Sequence, residues 1–146
     1  MPEPTQSFEK HAKFVPMYHQ VLFGILFVTF IGSLVNLYHS LGDHERIYNA
    51  SLITALSVAL IMTALFARVF ALGAQDRVIR AEENMRHYLM TGKMLDPRLT
   101  VKQIVGLRFA SDGEFVELAR KAAESGMAQK DIKRAIRNWR ADNDRL

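Results

Sequence analysis

Two uninterrupted apolar runs, Val21 to Tyr38 and Ala50 to Ala67, occupy the first half of the chain, and neither contains a charged residue. Each is about 18 residues long. A helix rising about 1.5 Å per residue needs ~20 residues to cross a hydrocarbon layer ~30 Å thick, and flanking apolar and aromatic residues extend both runs to that length. The spacing therefore predicts two membrane-spanning helices.

The remainder of the chain is of a different character. A mean hydropathy of 0.00 averages an apolar first half with a charged second half. From Gly73 onward there are 15 Lys and Arg against 11 Asp and Glu, which is +4 and equals the net charge of the whole chain. There are no cysteines, so disulfides, thiolate metal sites and cysteine nucleophiles are excluded. The first run starts late, is longer than a signal-peptide core, and is followed by Asn36-Leu37-Tyr38-His39-Ser40 with no small-x-small cleavage pattern. A retained helix is the better reading.

The connection between the spans, His39 to Asn49, carries a single Arg46 beside Asp43 and Glu45, whereas Lys10, Lys13, Arg68, Arg77 and Arg80 flank the other ends. The short connection predicts a tight antiparallel hairpin, and the Lys/Arg bias predicts that both termini are cytoplasmic. Four regions follow: an N-terminal cytosolic segment (1–15), a transmembrane hairpin (16–72, spans about 17–38 and 50–72), an amphipathic stalk helix (73–93) and a small helical cytosolic module (94–146). The expected fold class is all-α.

Within the spans, Tyr18, His19, Tyr38, His39 and Arg68 read as membrane-interface residues, with apolar bodies and polar tips. His19 and His39 lie ~30 Å apart on one helix and do not share a haem or pigment site. Ala55, Ala59, Thr63, Ala67 and Ala71 recur every four residues, predicting a small-residue stripe where the first helix, with Gly24, Thr29 and Gly32, or another subunit packs.

The stalk holds acid-first pairs, Asp76 with Arg80 and Glu82 with Arg86, and an apolar stripe of Val78, Ala81, Met85 and Leu89 that needs a cover. The last helices, a partner chain and the lipid surface are the candidates. Gly92 marks the stalk's end, and Pro97 lies in the connection that follows. Three helices are predicted beyond it. Thr100 with Gln103 is a capping box opening a helix to about Phe109. Ser111 with Glu114 is a second, opening a helix that ends near Gly126. The last runs from about Ala128 to Ala141, with Ile132, Ala135, Ile136 and Trp139 inward and Lys130, Lys133, Arg134, Arg137 and Arg140 around them. So small a module needs support, which the stalk stripe is expected to give, with Trp139 as a core anchor.

Reaction chemistry is sparse. Gly92-Lys93 lacks the preceding glycine and following hydroxyl of a phosphate loop, and no Gly-x-Ser-x-Gly elbow surrounds Ser111. Glu83 with His87 is the sole helical His–carboxylate pair, fewer ligands than zinc takes. No cofactor, metal or small-molecule substrate is expected, and the chain reads as non-enzymatic. The basic last helix offers contacts to a partner protein or an anionic surface, or, in an alternative reading of Phe115 to Trp139 as a helix-turn-helix, to nucleic acid.

Several segments also match a pattern. Lys10-His11-Ala12-Lys13-Phe14-Val15-Pro16-Met17-Tyr18-His19, Gln75-Asp76-Arg77-Val78-Ile79-Arg80, Thr91-Gly92-Lys93, Leu107-Arg108-Phe109-Ala110-Ser111-Asp112 and Asp131-Ile132-Lys133-Arg134-Ala135-Ile136-Arg137-Asn138-Trp139 together resemble a family of small, uncharacterised bacterial membrane proteins over most of the chain. The resemblance implies a bacterial inner (plasma) membrane protein with two spans and a cytosolic helical tail, and carries over no catalytic residue. The expected role is an accessory or adaptor subunit, contacting membrane lipid and either a protein partner or further copies of itself; the alternative is a membrane-tethered nucleic-acid-binding protein.

Overall fold

The computed structural model describes Phe8 and residues 14–142, and every regular element among them is helical. A π-helical stretch, Met17–Leu22, leads into α1 (Phe23–His39). Then follow α2 (His44–Thr91), α3 (Val101–Leu107), α4 (Asp112–Ser125) and α5 (Gln129–Ala135). The only extended pairing among the described residues is a single antiparallel bridge between Ala110 and Trp139.

The α1–α2 connection is shorter than the His39–Asn49 loop expected from sequence, because Asp43 caps α2. Its carboxylate accepts hydrogen bonds from the backbone N–H groups of Glu45 (3.1 Å) and Arg46 (3.2 Å), satisfying donors that a helix start leaves open. The second apolar run and the stalk are then one helix. It ends where Gly92 turns to a φ of +72°, a conformation open to glycine at little cost.

The chain divides into two compact units. In the first, Phe14–Phe70, the Tyr18 hydroxyl donates to the Ala64 carbonyl at 2.6 Å and the Thr54 hydroxyl to the Ser33 carbonyl at 3.3 Å. From Tyr18, in the π-helical stretch, to Ser33, in α1, the position rises while its partner on α2 falls from Ala64 to Thr54, so the two run antiparallel. Ser33, Ala50 and Ser57 are buried there. Ala55, Ala59, Thr63 and Ala67 are exposed, which corrects the stripe expected to receive α1; Ala71 lies in the other unit and is half-buried. Helix geometry explains the difference. A strict four-residue repeat drifts by about 40° per step around a helix of 3.6 residues per turn. The covered or partly covered positions Ala50, Thr54, Ser57, Ile61 and Ala64 alternate steps of four and three and hold one seam.

The second unit holds Phe8 and residues 71–142. Its core comprises Leu95, Leu99, Ile104, Leu107, Phe109, Phe115, Leu118, Ile132 and Ile136, with Trp139 packed against it. Thr100 and Gln103 form the predicted capping box: Gln103 N–H donates to the Thr100 hydroxyl (3.3 Å) and Thr100 N–H to the Gln103 side chain (2.8 Å). Gln103 then donates to the Met127 carbonyl at 2.8 Å, tying α3 to the α4–α5 turn. That turn forms at Gly126, with φ +60°. Gly106 lets α3 and α5 approach, since a methyl group there would sit 3.2 Å from Gln129 Cγ and 3.3 Å from its carbonyl oxygen.

The second predicted box does not form. Ser111 makes no capping bond to the backbone, and the Glu114 carboxylate instead accepts from the backbone N–H groups of Arg137 (3.1 Å) and Asn138 (2.9 Å). This corrects the last helix too, which ends at Ala135 and not near Ala141. Beyond it, Ser111 N–H donates to the Asn138 carbonyl (3.1 Å) and Arg140 N–H to the Phe109 carbonyl (2.7 Å). The backbone of the last turn is spent on these tertiary bonds, so Ile136 is extended and still buried.

Candidate functional site

The stalk packs against the module through a polar face. Ile79 and Glu83 are buried, and Asn84, Arg86 and His87 are partly so. Val78, Ala81, Met85 and Leu89 are exposed, which corrects the expectation that this stripe supports the module. The two sets lie on roughly opposite sides of a 3.6-residue helix. The exposed stripe also borders an open groove of about 610 Å³, with Arg86 and Asp112 at its edge.

Arg86 is the centre of the covered face. Its guanidinium donates to Asp112 (Nε, 2.9 Å), to Glu83 (Nη1, 3.0 Å) and to the Ala110 carbonyl (Nη2, 2.8 Å), and lies over the Phe115 ring. One planar group thereby joins α2 to the turn that starts α4, a geometry suited to arginine and not to lysine. The expected Glu82–Arg86 pair is absent because Arg86 is committed elsewhere, and no Asp76–Arg80 bridge occurs among the described residues. The hydrogen bond from Arg86 holds the Asp112 carboxyl below its ordinary value. Glu83 also lies 4.0 Å from Arg140.

His87 is engaged with the connection that follows the stalk. Its Nδ1 lies 2.7 Å from the Lys93 carbonyl; a carbonyl only accepts, so Nδ1 carries the proton. Asn84 accepts from Leu95 N–H at 3.2 Å. Both side chains fold the connection after Gly92 back onto the stalk. Among the described residues no group of three or more His, Asp and Glu side chains is placed to share a metal ion.

The five basic candidates do not share one helix. Lys130, Lys133 and Arg134 lie on α5, whereas Arg137 and Arg140 follow it outside any helix. Lys133 sits 5.2 Å from the Phe109 ring centre. Arg134 lies 5.5 Å from that of Phe8, and Phe8 lines a small cleft with Gln129, Lys130 and Lys133. In the other unit, Tyr18 carries the Arg68 guanidinium 5.9 Å from its ring centre, His19 bonds back to Val15, and Tyr38 and His39 are exposed.

Sequence reading missed Asp43, Arg86 with Asp112, and Glu114 with the 137–138 backbone. Only Asp43 had a local signal, an Asp directly before a helical stretch. No curated protein and no solved structure matches the chain. The sequence model of a family of unknown function, DUF6526, matches residues 1–146, so the chain belongs to that family.

Proposed function

We propose that the chain is a two-span protein of the bacterial inner membrane, with both termini cytoplasmic, serving as a non-enzymatic accessory or adaptor subunit that acts by docking. Support for the spans comes from Met17–His39 and His44–Thr91, whose best windows have mean hydropathies of 2.1 and 2.2 with 11% of the residues buried. Side chains such as Val28 and Phe70 point outward, about 70% exposed; so much apolar surface is stable in lipid and not in water. An even number of crossings places the termini on one side, and Phe8 near Arg134 accords with that. The scarcity of Lys and Arg between the spans makes that side the cytoplasm.

The single observation that carries the docking role is the exposed Val78, Ala81, Met85 and Leu89 stripe, left open while the module occupies the polar face behind it. Solubilising the chain from its native membrane in mild detergent and identifying co-migrating proteins tests this reading. A specific companion, or self-association, supports it; a monodisperse monomer with no companion overturns it.

A further inference from the structure

The exposed face of the stalk has a period of its own. Ala74, Val78, Ala81, Met85 and Tyr88 alternate steps of four and three, the a and d positions of two heptads, and all five are exposed. Val78, Met85 and Tyr88 are each about half exposed or more, at 55%, 56% and 49%. The module covers the far side of the helix, so this seam is the face left for another chain.

Arg77 and Glu82 flank the seam on opposite sides, at a g position and at the e position of the next heptad. Both are exposed and neither forms an ion pair among the described residues. Helical partners within one chain stand three or four residues apart. Arg77 has Gly73, Ala74, Arg80 and Ala81 at those distances, none of them acidic. Glu82 has one basic neighbour there, Arg86, which Glu83, Asp112 and the Ala110 carbonyl already hold. A separation of five fits a pair across a parallel coiled-coil seam, from g on one chain to the following e on its partner.

We propose that the occupant of this face is a second copy of the same chain, with residues 74–88 of the two stalks packed in parallel and Arg77 of each meeting Glu82 of the other. The proposal rests on the membrane reading, because two heptads are too few to pair freely in water. Spans fixed in one membrane hold the stalks parallel and raise their effective concentration. A two-fold axis along the membrane normal makes the contact closed and self-complementary.

The chain contains no cysteine, which permits a direct test on the full-length protein in native membranes. Single substitutions Ala74→Cys, Val78→Cys, Ala81→Cys and Met85→Cys are compared with Arg80→Cys, exposed but off the seam. Mild oxidation should yield disulfide dimers at the four seam positions, several-fold more than at Arg80→Cys. Adding Arg77→Glu to Ala81→Cys should lower the yield about two- to three-fold, and adding Glu82→Arg as well should restore it. Seam yields no higher than the control overturn the proposal, as do seam cysteines that escape both cross-linking and a water-soluble maleimide, which would mean another cover. A heterologous companion that co-purifies without seam cross-links leaves the docking role standing and this dimer refuted. Seam cross-links with no other companion support the dimer and, as self-association, the docking role with it.

Discussion

The guanidinium carbon of Arg86 lies 4.2 Å from the centre of the Phe115 ring, so a charged group of the stalk caps one of the largest fully buried side chains of the module. The same guanidinium satisfies Glu83, whose side chain is 8% exposed. Replacing Arg86 by alanine removes the hydrogen bonds to Asp112 and the Ala110 carbonyl, a stacking partner and the counter-charge of a buried carboxylate together. The expected loss is about 3 kcal/mol, at the low end for breaking a buried pair. Denaturant unfolding in detergent, followed by the emission of Trp139, the only tryptophan, measures it. Arg86→Lys should recover only part, and full recovery would show that charge alone matters.

Glu114 holds the backbone at Arg137 and Asn138 in a non-helical path that the sequence would otherwise wind into helix. Glu114→Ala leaves the Arg137 and Asn138 N–H groups without their acceptor, at an expected ~1–2 kcal/mol. Hydrogen exchange of those two amides should speed up, and Trp139 emission should shift to the red. Unchanged exchange would mean that the Ala110–Trp139 bridge alone fixes the segment.

Two glycines should respond in opposite directions. A methyl group at Gly106 meets Gln129 backbone and side chain at 3.2–3.3 Å, so Gly106→Ala is expected to cost ~1 kcal/mol and Gly106→Val more. Gly73 lies inside α2 with nothing within 4 Å of the added atom, so Gly73→Ala should stabilise by about 0.5–1 kcal/mol. Thermal unfolding of the two variants decides the sign.

These contrasts follow the range of each interaction. Thr100 with Gln103, Gly92 and Gly126 were legible because a cap or a stop involves residues within one turn. The apolar runs were legible as long apolar helices because that signal is one of composition over ~20 residues. Glu114 carried an equally clear local signal that pointed the wrong way, since the amides it serves lie 23 and 24 residues along the chain. Arg86 chose Asp112, 26 residues distant, over the adjacent turn's Glu82 for the same reason: a set of acceptors that includes the buried Glu83 and the Ala110 carbonyl outweighs an exposed helical pair worth a few tenths of a kcal/mol. The stripe on the outer face of the stalk was legible as a stripe, while which side the module would cover depended on those polar contacts.

Acid should loosen the module in a definite window. Arg86 lowers the Asp112 carboxyl, and Arg98, by its hydrogen bonds, lowers Asp96 from 3.8 to about 2. A carboxyl depressed by folding contributes stability above its unfolded value, and that contribution is lost as pH falls through the folded one. Trp139 emission should therefore be flat from neutrality to about pH 4 and change as pH drops from there toward about 2. Asp112→Asn and Asp96→Asn should each make that change shallower; a profile identical to the parent chain in both would remove these carboxylates from the account.

The orientation of the spans is open to a labelling experiment that the cysteine-free sequence makes simple. Glu45, in the first turn of α2 beside the Ser40–Asp43 turn, and Lys130 on α5 are both exposed. In right-side-out vesicles a membrane-impermeant maleimide should label Glu45→Cys and spare Lys130→Cys, with the pattern reversed in inverted vesicles. The expectation rests on one Arg between the spans against five Lys and Arg around their other ends, a bias that sets topology over short loops. Because Phe8 and Arg134 lie in one compact unit, a cysteine near the N-terminus must follow Lys130→Cys in both preparations. Labelling of both Glu45→Cys and Lys130→Cys from the same side would mean that the two helices do not separate them by a membrane, and the exposed apolar surface of Phe14–Phe70 would then require a protein cover in place of lipid.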